Sequence, residues 1–165
     1  NNKDLIRECN IYKHDGREER GVDVILRRGF NYRITELQAA VGVAQLEKRK
    51  TFIKKKLNNQ KLFSSILKNE KNIHIFQFNK GGNIIPHRNI IFVPNAANLI
   101  SHLVNNGIGA RTLFMPMHSQ PAYGLNHSFP STQKLFDTGV CLPSAPSLTK
   151  NNIEYICDTI INYYN

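Results

Sequence analysis

The chain has 165 residues, enough for one domain with a real core, and carries 22 Lys and Arg against 12 Asp and Glu, a formal net charge of +10. No apolar run approaches the roughly 18 residues of a membrane-spanning helix, and no reader motif concentrates the positive charge; together these exclude a helical span and argue against nucleic acid as the partner. Three widely spaced cysteines, Cys9, Cys141 and Cys157, form no CxxC or Cys/His ligand cluster, so no metal site is expected and the thiols read as free in a reducing cytoplasm. The chain opens on Asn1-Asn2-Lys3-Asp4 without a methionine or a signal-peptide pattern, which reads as a piece of a longer protein.

Asp4 to Tyr12 has a helical stripe of Leu5, Ile6 and Cys9, broken by the turn His14-Asp15-Gly16-Arg17. Glu18 to Arg28 is charged and irregular, a length of loop that is more often functional or interfacial than idle. Thr35 and Gln38 have capping-box spacing and start a helix that the periodicity carries through Lys68, with a bend at Asn58-Asn59. Its first turns carry Ala39, Ala40, Gly42 and Ala44, a small surface that lets another backbone approach closely. The Lys48-Arg49-Lys50 and Lys54-Lys55-Lys56 runs form a solvated face of that helix. A helix this long in so small a domain must pack on something beyond it.

Asn72 to Phe78 alternates as a strand, Asn79 to Asn83 is a turn, and His87 to Pro94 is a second strand. Asn95 caps a short helix ended by Asn106-Gly107. Ile108 to Met115 is a third strand, Ser131 to Thr138 a helix, and Val140-Cys141-Leu142 a short strand. Thr149 caps a last helix with Ile153, Ile156, Cys157, Ile160, Ile161 and Tyr164 on one stripe, and Leu148 and Ile153 are placed as a hydrophobic staple. Strands separated by helices predict an α/β two-layer sandwich with a small sheet.

Asn31 and Arg33, beside Gly29 and just ahead of a helix start, supply the donors and positive charge that a phosphate needs. The same residues serve equally as a turn former and a surface ion pair. His118, in the proline-bounded loop Phe114 to Tyr123, is placed to hydrogen-bond a hydroxylated ligand or to sit idle on the surface.

Three stretches carry a resemblance. Gly29-Phe30-Asn31-Tyr32-Arg33-Ile34-Thr35-Glu36-Leu37-Gln38-Ala39-Ala40-Val41-Gly42 is the first, Phe114-Met115-Pro116-Met117-His118-Ser119-Gln120-Pro121-Ala122-Tyr123 the second, and Val140 to Thr149 the third. In order and spacing they resemble the C-terminal portion of the DegT/StrS sugar aminotransferases, pyridoxal 5'-phosphate (PLP) enzymes of fold type I. The resemblance implies a small C-terminal domain, with a small mostly antiparallel sheet covered by helices and preceded by a long interface helix. Residues 1–34 would be the remnant of the large PLP domain with an active-site and interface loop, and 35–165 the long helix plus the small domain.

The resemblance also implies roles. Asn31 would reach the PLP phosphate held by the other subunit of a homodimer, with Arg33 near the same shared site. His118 would contact the sugar, with Tyr123 in support. His14 would lie beside the active site in a His-Gly turn, here interrupted by Asp15. The lysine that holds PLP would lie upstream, and no lysine of this chain stands in a matching context, so no catalytic residue is assigned. The implied activity is amination of a nucleotide-linked keto-sugar, with glutamate as donor, for a surface polysaccharide or O-antigen, by a full-length protein of which this fragment alone is inactive. The alternative is a non-catalytic truncated module that binds a phosphorylated ligand or nucleic acid.

Overall fold

The computed structural model describes residues 2–19, 21–77, 81, 84–124 and 127–165. Phe78, at the end of the first expected strand, and all of the expected turn after it except Gly81 lie outside the described residues. The chain divides by its internal contacts into two units, Asn1–Arg49 and Lys50–Asn165.

In the first unit, helix α1 spans Lys3–Lys13. Asn2 caps it, its side-chain oxygen accepting from the backbone N–H groups of Asp4 and Leu5 at 3.0 and 3.1 Å. It ends in a left-handed turn: Asp15 and Gly16 have φ of 58° and 80°, and the Gly16 N–H reaches back to the Ile11 carbonyl at 2.9 Å. That is the long bond of a Schellman end. Among the described residues from Arg17 to Thr35 no helix or strand forms beyond a single antiparallel bridge between His14 and Asn31. Helix α2, Glu36–Glu47, begins with the expected capping box: Thr35 Oγ1 accepts from the Gln38 N–H, and Gln38 Oε1 from the Thr35 N–H. Ile11 is the one buried apolar side chain among the described residues of this unit, and α2 buries none.

The second unit contains most of helix α3, Arg49–Leu67. The expected helix from Thr35 to Lys68 is interrupted at Lys48, and it runs unbroken through Asn58 and Asn59. Asn59 is buried and its amide donates to the Ala145 carbonyl at 3.4 Å, so a tertiary contact satisfies the group that would otherwise compete with the helix backbone. Strands β1 (His74–Ile75), β2 (Asn89–Phe92), β3 (Arg111–Thr112) and β4 (Gly139–Leu142) form one sheet in the order β1-β2-β4-β3, every pair antiparallel. β1 and β3 are edges, paired on one side only, which is why both are shorter than the alternation suggested.

The register opposes Ile91 to Val140 and Asn89 to Leu142. Ile91, Val140 and Leu142 join Phe63 and Leu67 of α3 in one core. To it α4 (Ala96–Asn105) adds Leu99 and Leu103, and α6 (Lys150–Tyr164) adds Ile153, Ile156, Cys157 and Ile160. Each fully buried Leu or Ile contributes about 1.5–3 kcal/mol. The Thr149 capping box with Asn152 forms, and Leu148 packs against the cluster that holds Ile153, as a staple requires. Asn95 differs from expectation. It precedes α4 with φ 54° and makes no side-chain cap bond, so it serves through its tolerance of the left-handed region. Helix α5 spans Pro130–Thr138, opening on a proline whose missing N–H no helix start needs.

Candidate functional site

Backbone bonds at the end of α1 build the first candidate site. The Phe30 backbone inserts there: its N–H donates to the Tyr12 carbonyl at 2.7 Å, and its carbonyl accepts from the Asp15 N–H at 3.1 Å. This replaces the second internal bond of the Schellman end with a bond to a distant strand-like segment. Two glycines make the approach possible. A Cβ on Gly29 would come within 2.6 Å of Gly16 Cα and 2.7 Å of the Asp15 carbonyl carbon, and a Cβ on Gly16 would overlap the Arg27 carbonyl. The Tyr32 N–H then bonds the Lys13 carbonyl at 3.1 Å.

The segment is extended, so side chains alternate. Phe30 and Tyr32 stack at 5.2 Å, while Asn31 and Arg33 meet, Arg33 Nε donating to Asn31 Oδ1 at 3.4 Å. The Asn31 NH2 makes no hydrogen bond among the described residues. Arg33 also lies 3.7 Å from Asp15 Oδ2. His14, Asn31 and Arg33, with Lys13, Tyr32 and Glu18, line a cleft of about 850 Å³ that extends to the start of α2. Arg7 holds Glu18 through two side-chain contacts. That hydrogen bond, and then the Arg7 charge, keep the Glu18 carboxyl below its usual range; the same bond, and then the Glu18 charge, push Arg7 up. Lys13, Arg33 and the Asn31 amide are donors of the kind an anion takes, close to a helix start.

Three of the five expected residues, His14, Asn31 and Arg33, thus share one cleft. Lys13 was missed, although it adjoins His14; only the fold shows that its backbone anchors the Asn31 segment.

His118 lies in the second unit, in a 3-10 turn at Met117–Ser119. Its ring is 4.8 Å from that of Phe129, beside a cleft of about 520 Å³ lined by Ser119, Gln120, His127 and Ser128. Tyr123 ends a second 3-10 turn, Pro121–Tyr123, is exposed, and does not line that cleft. His127 and Phe129 went unnoticed in the sequence, where no spacing ties them to His118.

A sequence model of the DegT/DnrJ/EryC1/StrS aminotransferase family matches residues 1–161. The chain belongs to that family. Among curated members, the GDP-perosamine synthase of Escherichia coli O157:H7 is 31% identical over 175 residues, covering 99% of this chain and 46% of that protein. The GDP-perosamine synthase of Vibrio cholerae is 34% identical over 147 residues, covering 82% and 39%. Among solved structures, the aminotransferase TlmJ from Streptoalloteichus hindustanus superposes with a TM-score of 0.87 at 15% identity, over 98% of this chain and 45% of that one. That likeness establishes the fold, an α/β domain with a four-stranded antiparallel sheet. The chain spans less than half the length of the curated relatives it matches.

Proposed function

We propose that this chain is the C-terminal part of a PLP-dependent aminotransferase that converts a nucleotide-linked keto-sugar to an amino sugar. Glutamate is the amino donor and the product enters a surface polysaccharide such as an O-antigen. The enzyme is a cytoplasmic homodimer with shared active sites. Residues 1–34 supply the active-site and interface loop, and 35–165 the interface helix and small domain.

The observation that carries this reading is the cleft that gathers His14, Asn31 and Arg33 within a family member. Its donor set fits a phosphate: a free carboxamide NH2 on Asn31, the Arg33 guanidinium and the Lys13 ammonium, ahead of the first N–H groups of α2. PLP, when bound, supplies the electron sink for moving an amino group. Asn31 donates to its phosphate from across the subunit boundary, Arg33 adds charge and orients the Asn31 oxygen, and His14 closes the rim. In the other unit His118 donates to or accepts from a sugar hydroxyl, with Tyr123 in support.

Helix α2 supports the dimer. Leu37, Val41, Val43 and Leu46 are each more than half exposed, on more than one side of the helix. Apolar side chains on two sides of a helix are stable when covered, and among the described residues its own unit buries none of them. A Cβ on Gly42 meets no atom within 4 Å, so a larger side chain there fits this chain without strain. Any penalty must come from atoms outside this chain, which the dimer reading assigns to a second copy.

The test uses the longer protein that includes the upstream lysine. It should transfer nitrogen from glutamate to a nucleotide-linked keto-sugar, whereas the 165-residue chain should neither do so nor keep PLP through desalting. Asn31→Ala should lose PLP on dialysis at least about tenfold faster. Gly42→Leu should dissociate the dimer in analytical ultracentrifugation. PLP retained covalently by the 165-residue chain, or a tight Gly42→Leu dimer, refutes the corresponding claim.

A further inference from the structure

Within the second unit, α3 meets the sheet along a seam of polar side chains. Lys56, Gln60 and Ser64 follow one another at four-residue spacing, so they form one row along the helix. Lys56 Nζ donates to the Pro86 carbonyl at 3.2 Å, which sets the start of that row beside the chain that leads into β2. Asn89, the first residue of β2, is 6% exposed and lies on the core side of its strand with Ile91. Its Nδ2 donates to the Pro143 carbonyl at 3.0 Å. A carbonyl only accepts, so this bond fixes which end of the amide is which and turns Oδ1 the other way. Among the described residues Oδ1 accepts from no donor.

A buried acceptor left unpaired destabilises a folded chain, and native structures satisfy nearly all such atoms. Asn89 lines, together with Gln60 and Ser64, a cavity of about 10 Å³ between α3 and β2, room for one water molecule and nothing larger. Both helix side chains are half-buried, and neither makes a hydrogen bond among the described residues. Ser65, Ser101, Thr138 and Thr159 each turn a helix hydroxyl back onto a carbonyl of the preceding turn. Ser64 makes no such bond, so its hydroxyl stays available to the cavity.

We propose that Asn89, Ser64 and Gln60 hold one buried water molecule, which bridges α3 to β2. The water donates one hydrogen to Asn89 Oδ1. Its other hydrogen and its lone pairs meet the Ser64 hydroxyl and the Gln60 amide, which completes the set of partners a buried water takes. The bare acceptor rejects an anion, and the volume rejects any larger polar molecule. The Lys56–Pro86 and Asn59–Ala145 bonds fasten the same helix nearby, so the water completes a row of polar ties on the helix by which the chain enters this unit. The site lies wholly in the second unit and stands apart from the aminotransferase reading.

A crystal structure of the 165-residue chain at about 1.5 Å or better should show a water about 2.6–3.1 Å from Asn89 Oδ1, and as close to Ser64 or Gln60. In solution, magnetic relaxation dispersion of the water signal counts long-held waters, and Ser64→Val should lose one of them. Ser65→Val is the control, the same substitution one residue on, at an exposed position of the same helix; it should keep the full count. Thermal midpoints then separate a wet site from a dry one. Expelling the water leaves Oδ1 unpaired, so Ser64→Val should melt at least about 3 °C below Ser65→Val. In a dry cavity the added methyl groups would only gain burial, and Ser64→Val would melt at or above the control.

The site is overturned by an empty cavity in the crystal structure, by a protein donor on Asn89 Oδ1 in place of the water, by an unchanged water count in Ser64→Val, or by Ser64→Val melting level with or above Ser65→Val. If Ser64→Val does not fold, the crystal structure of the native chain decides alone.

Discussion

The Gly16–Gly29 crossing holds the Asn31 segment against the end of α1, and three alanine substitutions separate its two causes. Gly21 has φ 80° and open space around a Cβ, so Gly21→Ala costs only the left-handed backbone, about 1–2 kcal/mol. Gly29 has no such backbone constraint, but its Cβ would lie 2.6 Å from Gly16 Cα. Gly29→Ala must therefore part the two strands of chain. Parting them gives up the Asp15–Phe30, Phe30–Tyr12 and Tyr32–Lys13 bonds, at about 0.5–1.5 kcal/mol each and about 1.5–4.5 kcal/mol together. Gly16→Ala incurs both costs and also loses the Leu26 to Gly16 bond. Ile11 is the one buried apolar side chain among the described residues of this unit, so exposed ion pairs such as Arg7–Glu18 and Arg27–Glu8 add only weakly to what holds the segment. Hydrogen exchange by mass spectrometry on peptides spanning residues 12–32 should show modest protection in the native chain. Gly21→Ala should reduce it, and Gly29→Ala and Gly16→Ala should abolish it, with the β2–β4 region unchanged in all three. Equal protection in Gly16→Ala and the native chain would refute the crossing. So would equal effects of Gly21→Ala and Gly16→Ala, or an unprotected segment in the native chain.

Leu103→Ala, at a fully buried position between α4 and the sheet, should destabilise by about 3–5 kcal/mol, read from urea midpoints at constant m. Thr149→Ala removes one half of a complete capping box and should cost about 1 kcal/mol, a lowering of Tm by about 2–4 °C. Burial, with Asp158 and Glu154 adding to it, pushes the Cys157 thiol up to about 12. The unfolded chain releases that proton near pH 9 and the folded chain holds it, so stability present below pH 9 is lost as pH rises toward 12. The loss should be about 2 kcal/mol at pH 10.5, and Cys157→Ala should show a correspondingly smaller drop in urea midpoint between pH 8 and pH 10.5.

What the sequence revealed was local. Thr35 with Gln38 and Thr149 with Asn152 announce their helix starts because a capping box closes within four residues. The stripe from Ile153 to Ile160 announces its face because helical period repeats within one element. What it hid depends on partners distant in the chain. Asn59 looks like a helix bender until Ala145 appears beside it. Gly16 and Gly29 are each recognisable as glycines, but that Gly29 is small for the sake of Gly16, and Gly16 for the sake of the Arg27 carbonyl, follows only from the crossing. Arg88 and Arg111 are unremarkable until Phe114 brings them together.

The candidate site divides in the same way. Asn31 and Arg33 stand two apart, and extended backbone alone puts them on one side, so their pairing was legible. His14 joined them through a bridge between the helix end and the loop, which no spacing rule foretells. Helix α2 is the reverse case. Its small residues are plain in the sequence, yet among the described residues its own unit leaves its apolar side chains exposed. A globular chain does not keep such a helix in water without a use for it. The cleft beside it opens at the α2 start, so a copy that covers this first turn also lies near the cleft. On the proposed dimer reading cover and ligand are coupled: a second copy that buries Leu37 and Val41 would bring its own surface toward the rim where Asn31 stands. That coupling is why loss of the dimer in Gly42→Leu should also weaken PLP retention, although Gly42 touches nothing in the cleft.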